Sequence, residues 1–173
     1  MRTLPDYLRR GMRLVIVGTN PGENSVRSGH YYSGRDSQFW QLLYEGGVVP
    51  EPLEANEDKR MIEFGIGLTD LVKRPTRRLE EIRREEWTEG RVLLSQKLQE
   101  FQPRVVAFHG KTAYEKFFGR PCKLGLQKET LYGAQVFVLP STSGQNATIS
   151  LAAKKKYFQQ LGQLLKKSKA AAG

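Results

Sequence analysis

The chain is poor in the residues that staple or metal-load small proteins. Of its 173 residues one is cysteine, Cys122, and two are histidine, His30 and His109. A single thiol excludes an internal disulfide, a cysteine-based zinc site and a four-cysteine iron–sulfur cluster within the chain. The histidines lie in different segments without metal-ligand spacing. The sequence therefore predicts no metal and no other cofactor, with carboxylate-bound Mg²⁺ left open. Long apolar runs are also missing. None approaches the about 20 residues a membrane helix needs, so no membrane association is expected. The first residues, MRTLPDYLRRGM, lack the apolar stretch and small-residue cleavage site of a secretory signal. A cytoplasmic location is expected, nucleoid-associated if the protein is bacterial. Neither G-x-x-x-x-G-K-[ST] nor G-x-G-x-x-G occurs, which argues against a nucleotide-binding enzyme.

Positive charge, by contrast, is plentiful. Lysine and arginine number 28 against 18 aspartate and glutamate, a net charge of +10. Such an excess suits a polyanionic partner, because Lys and Arg displace counterions from phosphates. Charge alone separates neither DNA from RNA nor nucleic acid from an acidic membrane. With 39% apolar and 27% charged residues, the composition is that of an ordinary globule with a real core. One domain over residues 1–165 is expected, followed by a basic, disordered tail at 166–173.

The most informative stretch is 14–40, LVIVGTNPGENSVRSGHYYSGRDSQFW. Leu14 to Val17 run straight into Gly18-Thr19-Asn20-Pro21-Gly22, which reads as a buried strand ending in a sharp turn. Such turns at the carboxyl ends of strands are where open α/β sheets place their chemistry. Further strands are expected at 66–72, 105–108 and 134–139. Helices are expected at 5–11, from a cap at Asp36 or Ser37 to Tyr44, at 54–63, 85–101, 112–118 and 150–167. Strands alternating with helices predict a three-layer α/β/α fold around a central, mainly parallel, four-stranded sheet. Its loops 18–35, 69–76 and 140–147 would then cluster at one edge.

Three features there could carry chemistry. The Asn20 amide can hold a water or pair with a planar base edge, although Asn-Pro also simply starts turns. Tyr32 offers a ring for stacking on a nucleobase, or for ordinary packing. The segment 140–147, PSTSGQNA, has small residues that let backbone approach a phosphate.

Together, GTNPG (18–22), YYSGRDSQFW (31–40), GIGLTDLVKRPT (65–76) and LPSTSG (139–144) resemble, in order and spacing, the mismatch-specific uracil-DNA glycosylase and thymine-DNA glycosylase family. The resemblance runs from about residue 11 to 165. It implies a uracil-DNA glycosylase-like fold and a monofunctional DNA-repair glycosylase. Such an enzyme hydrolyses the N-glycosidic bond of uracil in double-stranded DNA, at U·G mismatches among other contexts, and leaves an abasic site. It implies a water-positioning role for Asn20 and a base-stacking role for Tyr32. Gly18, Thr19, Pro21, Gly22, Glu23 and Asn24 would border the everted base. Ser141, Ser143, Gly144, Gln145 and Asn146 would enter or touch the duplex, and Lys111 and the Lys154–Lys156 run would meet phosphates.

The chain departs from the family in four places. Thr19 replaces an apolar residue, Gln145 replaces a leucine wedge, and Ala147 replaces an arginine that contacts the widowed guanine. Asp70 stands where bacterial relatives can have lysine. Its carboxylate could orient water and stabilise positive charge on the sugar, or pair with Lys73 or Arg74. A glycosylase for hypoxanthine or another deaminated base, and a non-catalytic damaged-DNA-binding module, are the alternatives. A monomer is expected.

Overall fold

A computed structural model of the chain describes residues 2–143 and 148–172, with side chains through residue 168. Five strands form one sheet: β1 (Leu14–Gly18), β2 (Ile66–Asp70), β3 (Val105–His109), β4 (Gly125–Leu131) and β5 (Ala134–Leu139), in the order β2-β1-β3-β5-β4. β2, β1, β3 and β5 are parallel, and β4 runs antiparallel to β5 at one edge. The helices are α1 (Glu23–Ser28), α2 (Phe39–Glu45), α3 (Arg84–Phe101), α4 (Lys111–Phe118) and α5 (Leu151–Ala172), with a 3₁₀ segment at Ala55–Phe64 and another at Leu79–Glu81.

The central strands are mostly apolar because both faces of the sheet are covered. Leu14, Ile16, Leu68, Ala107 and Phe137 face a core shared with Phe39, Leu42 and Leu43 of α2 and Phe158, Leu161 and Leu165 of α5. Val15, Val17, Val106, Phe108 and Val136 face the opposite way, toward Trp87, Leu94 and Leu98 of α3 and Tyr114 of α4. This is the three-layer α/β fold expected from the sequence, with one more strand. No helix among the described residues is long and apolar enough to cross a membrane.

Several local expectations are corrected. Residues 5–11 are not helical. Tyr7 is extended and bridges Leu68 antiparallel, with Tyr7 N–H donating to Leu68 O at 2.9 Å and Leu68 N–H to Tyr7 O at 3.0 Å. β2 is the sheet's edge, and the N-terminal segment satisfies backbone groups that would otherwise lie open. The loop after β1 contains a short helix, α1. Helix α2 starts from Gln38 rather than Asp36 or Ser37, and the helix expected at 54–63 is present at Ala55–Phe64 in the 3₁₀ form. The extra strand, β4, turns into β5 through Tyr132 (φ 51°) and Gly133 (φ 86°), a two-residue hairpin turn of the left-handed kind. The backbone of α5 is helical to Ala172.

Candidate active site

The carboxyl ends of β1, β2, β3 and β5 open onto a cleft of about 460 Å³, within the range of about 300–1,000 Å³ usual for small-ligand sites. Gly18, Thr19, Asn20, Tyr32, Asp70, Lys111 and Ser141 all line it. Residues from five separate sequence segments are thus brought to one place. The parallel ladder continues past the strand ends to hold the turn that carries Asn20. Leu71 N–H donates to Gly18 O at 2.8 Å, Val72 N–H to Thr19 O at 2.9 Å, and Gly22 bridges Thr76.

The Asn20 side chain is pinned by that ladder. Its Nδ2 donates to the Arg74 carbonyl at 3.0 Å and to Thr76 Oγ1 at 2.9 Å. A carbonyl can only accept, so the amide nitrogen must face Arg74, and Oδ1 is left as an oriented acceptor. The Arg74 guanidinium fixes the same loop to α3, with Nε and Nη2 donating to Glu86 at 2.7 and 2.9 Å. Hydrogen bonding from Arg74 holds the Glu86 carboxyl down at about 2.

Asp70 is the last residue of β2 and sits beside Gly18 in register. It is 4% exposed, with Lys73 Nζ at 3.5 Å from Oδ2. Burial pushes its carboxyl up to about 6, against the attraction of Lys73. A carboxylate of that kind changes protonation near neutral pH, as a general base does.

Tyr32 carries its ring into the cleft on a left-handed backbone, φ 52°. An aromatic residue held there stores strain, as residues at ligand-binding sites often do. Phe39 stacks on the ring, centroids 3.8 Å apart and planes at 21°, and so occupies one ring face. The Tyr32 hydroxyl is buried with no hydrogen-bond partner among the described residues. Burial, and after it the nearby Asp70, raise its pKa well above that of an ordinary phenol.

The remaining sequence-derived site residues are placed less centrally. Pro21 is buried, while Gly22, Glu23 and Asn24 border a neighbouring hollow with Arg27, Thr76 and Arg77 rather than the main cleft. Ser143 borders another hollow, with Tyr32, His109 and Arg35. Gly144, Gln145, Asn146 and Ala147 lie outside the described residues. Lys154 is 1% exposed and cannot meet phosphate. Its Nζ instead donates to Gln38 Oε1 at 2.9 Å and Ser143 O at 3.2 Å, tying the 140s loop to α5 and α2. Lys155 lies 3.8 Å from Glu45, and Lys156 is exposed.

Sequence reasoning missed His109. It ends β3 and lines the cleft with its ring 4.8 Å from Tyr32. Its Nε2 accepts from the Thr142 N–H at 3.2 Å and lies 2.8 Å from Thr142 Oγ1. Burial, with Lys154 acting in the same sense, pushes it down to about 4, so the ring is neutral at pH 7 with its proton on Nδ1. The usable signal was position: like Gly18 and Asp70, His109 closes a strand on the loop-bearing edge. Gly110 (φ 93°) then turns the chain into α4, a conformation natural only to glycine, and presents Lys111 and Thr112 to the cleft.

Comparison with known proteins agrees with this architecture. The profile of the Uracil DNA glycosylase superfamily matches residues 5–166. A solution NMR structure of a candidate uracil DNA glycosylase from Methanosarcina acetivorans is similar with a TM-score of 0.66 and 23% identity, covering 95% of this chain and 98% of that one. The chain belongs to the Uracil DNA glycosylase superfamily.

Proposed function

We propose that the protein is a monofunctional DNA glycosylase of the mismatch-specific uracil and thymine branch, acting on uracil in double-stranded DNA. The observation that carries this reading is the pinned Asn20 amide, its Oδ1 left as an acceptor in the same cleft as Asp70 and Tyr32. Superfamily membership supports DNA as the substrate, and the +10 charge suits it.

The chemistry follows from what bond cleavage requires. The target nucleotide must leave the stack, which costs a few kcal/mol and less at a mismatch. The Tyr32 ring, which lines the cleft, would receive the everted base, with Phe39 backing it. As the glycosidic bond breaks, the sugar gains positive charge and the base negative charge. The Asp70 carboxylate stabilises the first and, with Asn20 Oδ1, orients a water toward C1′. The water's proton passes to Asp70 as the C1′–O bond forms, and the base departs with the bonding electron pair. Lys111, Ser141 and the exposed Lys156 suit contacts to phosphates on either side. Asn20 carries no amine, Lys73 is held by Asp6 and Lys111 is assigned to phosphate, so the product under this reading is an intact strand with an abasic site.

Duplexes carrying U·G, U·A, T·G or hypoxanthine·T, incubated with protein and then alkali, test this. Alkali-dependent breakage at uracil, fastest in U·G, supports it. Breakage confined to hypoxanthine would reassign the substrate, and intact strands throughout would leave a DNA-binding module.

A further inference from the structure

Behind Asp70 runs a chain of charges that the mechanism above does not use. Lys73 stands between two carboxylates, its Nζ 2.9 Å from Asp6 Oδ1 and 3.5 Å from Asp70 Oδ2. It also donates to the Tyr31 hydroxyl at 3.2 Å. Asp6 holds a second lysine, with Lys97 Nζ 2.6 Å from its Oδ2, and accepts from Thr69 Oγ1 at 2.7 Å. Two ammonium groups and two carboxylates thus form one cluster, in which Asp6 takes both short contacts and Asp70 the long one. The cluster joins the N-terminal segment, the loop after β2 and α3 to the floor of the cleft.

We propose that Lys73 is a positioning residue for Asp70, and that Asp6, by competing for the same ammonium, sets how firmly Asp70 is held as a carboxylate. This rests on the reading of Asp70 as part of the water site. The lysine borders a separate hollow beside α3, so it meets the carboxylate without entering the cleft: Asp70 lines the cleft and Lys73 does not. The competition is geometric: the same ammonium lies 2.9 Å from Asp6 and 3.5 Å from Asp70, so the nearer carboxylate holds it off the farther one.

Charges facing Asp70 come from every packed element: Lys73 from its own loop, Asp6 from the N-terminal segment, Lys97 from α3, and the phenols of Tyr31 and Tyr32. His109 and Lys111 share the cleft from β3 and α4. The electrostatic balance agrees in sign. Burial raises Asp70, Lys73 and Lys97 pull it down, and Asp6 pushes it up. At Asp6, burial is outweighed by Lys73, Lys97 and Thr69, and its carboxyl lies below the usual range.

The two partners therefore act on Asp70 in opposite directions, which a merely structural role would not produce. Lys73→Met removes the counter-charge and should move the Asp70 titration to higher pH by about one pH unit, a size typical of a nearby opposite charge. Asp6→Asn removes a repelling charge and frees Lys73, and should move it to lower pH. Lys73→Arg should restore the wild-type position. The titration is read by carbon-13 NMR of the Asp70 carboxyl in the free protein, and independently in the rising limb of single-turnover excision against pH. Opposite displacements in the NMR titration establish the competition even if no uracil is released, in which case the functional reading fails alone. Displacements of the same sign, or none, overturn it even in an active glycosylase. Should Lys73→Met not fold, the Asp6→Asn and Lys97→Met variants decide. The first should lower the Asp70 titration and the second should raise it.

Discussion

Gly18 and Asp70 are partners in the parallel register of β1 and β2, and a methyl group on Gly18 would lie 2.5 Å from Asp70 Oδ1 and 3.0 Å from the Tyr32 hydroxyl. The absence of a side chain at Gly18 is what lets two polar groups converge on the cleft floor. Gly18→Ala should displace the Asp70 carboxylate, lower single-turnover excision about tenfold or more, and destabilise the protein by about 1–3 kcal/mol, as overpacking does. Excision rates and urea unfolding measure both, and a wild-type rate would show that the carboxylate position is unimportant.

Thr76 acts at a distance of 56 residues, by accepting one of the two Asn20 amide hydrogens. Thr76→Val keeps the shape and removes the acceptor. The amide should rock about its remaining bond to Arg74, with excision down about tenfold, in the range of a lost positioning contact. Duplex affinity, read by fluorescence anisotropy, should be unchanged. A parallel loss of affinity would assign Thr76 to folding of the loop instead.

Tyr32 makes a two-part prediction. Its ring is stacked on Phe39 while its hydroxyl is buried without a partner among the described residues, an arrangement that costs about 1–3 kcal/mol. Tyr32→Phe should therefore unfold at a higher urea concentration than wild type. Tyr32→Ala should lose stability and base capture together, with excision of uracil from U·G reduced. A destabilised Tyr32→Phe would mean that the hydroxyl has a partner.

Asp70 ties activity to stability. Its folded-state pKa, about 6, lies above the ordinary carboxylate value of 3.8. The folded state therefore binds the proton more tightly than the unfolded chain. The resulting stability is fully present below pH 3.8 and is lost as pH rises through 6. Asp70→Asn should unfold like wild type near pH 3.5 and be more stable above pH 7, by up to about 3 kcal/mol on the scale of 1.36 kcal/mol per pKa unit. Its excision rate should fall at all pH values, and its rising limb should vanish. Equal stability at pH 8 would contradict the buried-charge account of this residue.

The parts of this fold that were legible in sequence are those buried on both sides. Leu14–Val17, Val105–Phe108 and Val136–Leu139 form continuous apolar runs because helices cover both faces, and runs of that kind announce themselves. β4 did not, because GLQKETL is an edge strand whose middle residues are exposed or half-buried, so it has neither an apolar run nor apolar alternation. Its turn, Tyr132-Gly133, also lacks the Asn-Gly or Asp-Gly signature. Residues 5–11 were misread because their structure comes from the edge of β2, a partner about 60 residues away. At the site, Asn20, Asp70, Tyr32, Lys111 and Ser141 do share one cleft. Part of what holds them was invisible: Thr76 and Asp6 act across gaps that no local pattern encodes, whereas Lys73, three residues after Asp70, is an ion partner the sequence offered. Lys154 misled for the opposite reason, since a run of three lysines ordinarily marks a solvated face and this one turns its first member inward.

The most direct test of the account is the release of free uracil from a U·G duplex under single-turnover conditions by wild type and by Asn20→Ala. The pinned amide predicts release by wild type and a fall of about two orders of magnitude in the variant, the effect of losing one positioned catalytic group, with duplex binding retained. Equal release by the two proteins would remove Asn20 from the chemistry and the account with it.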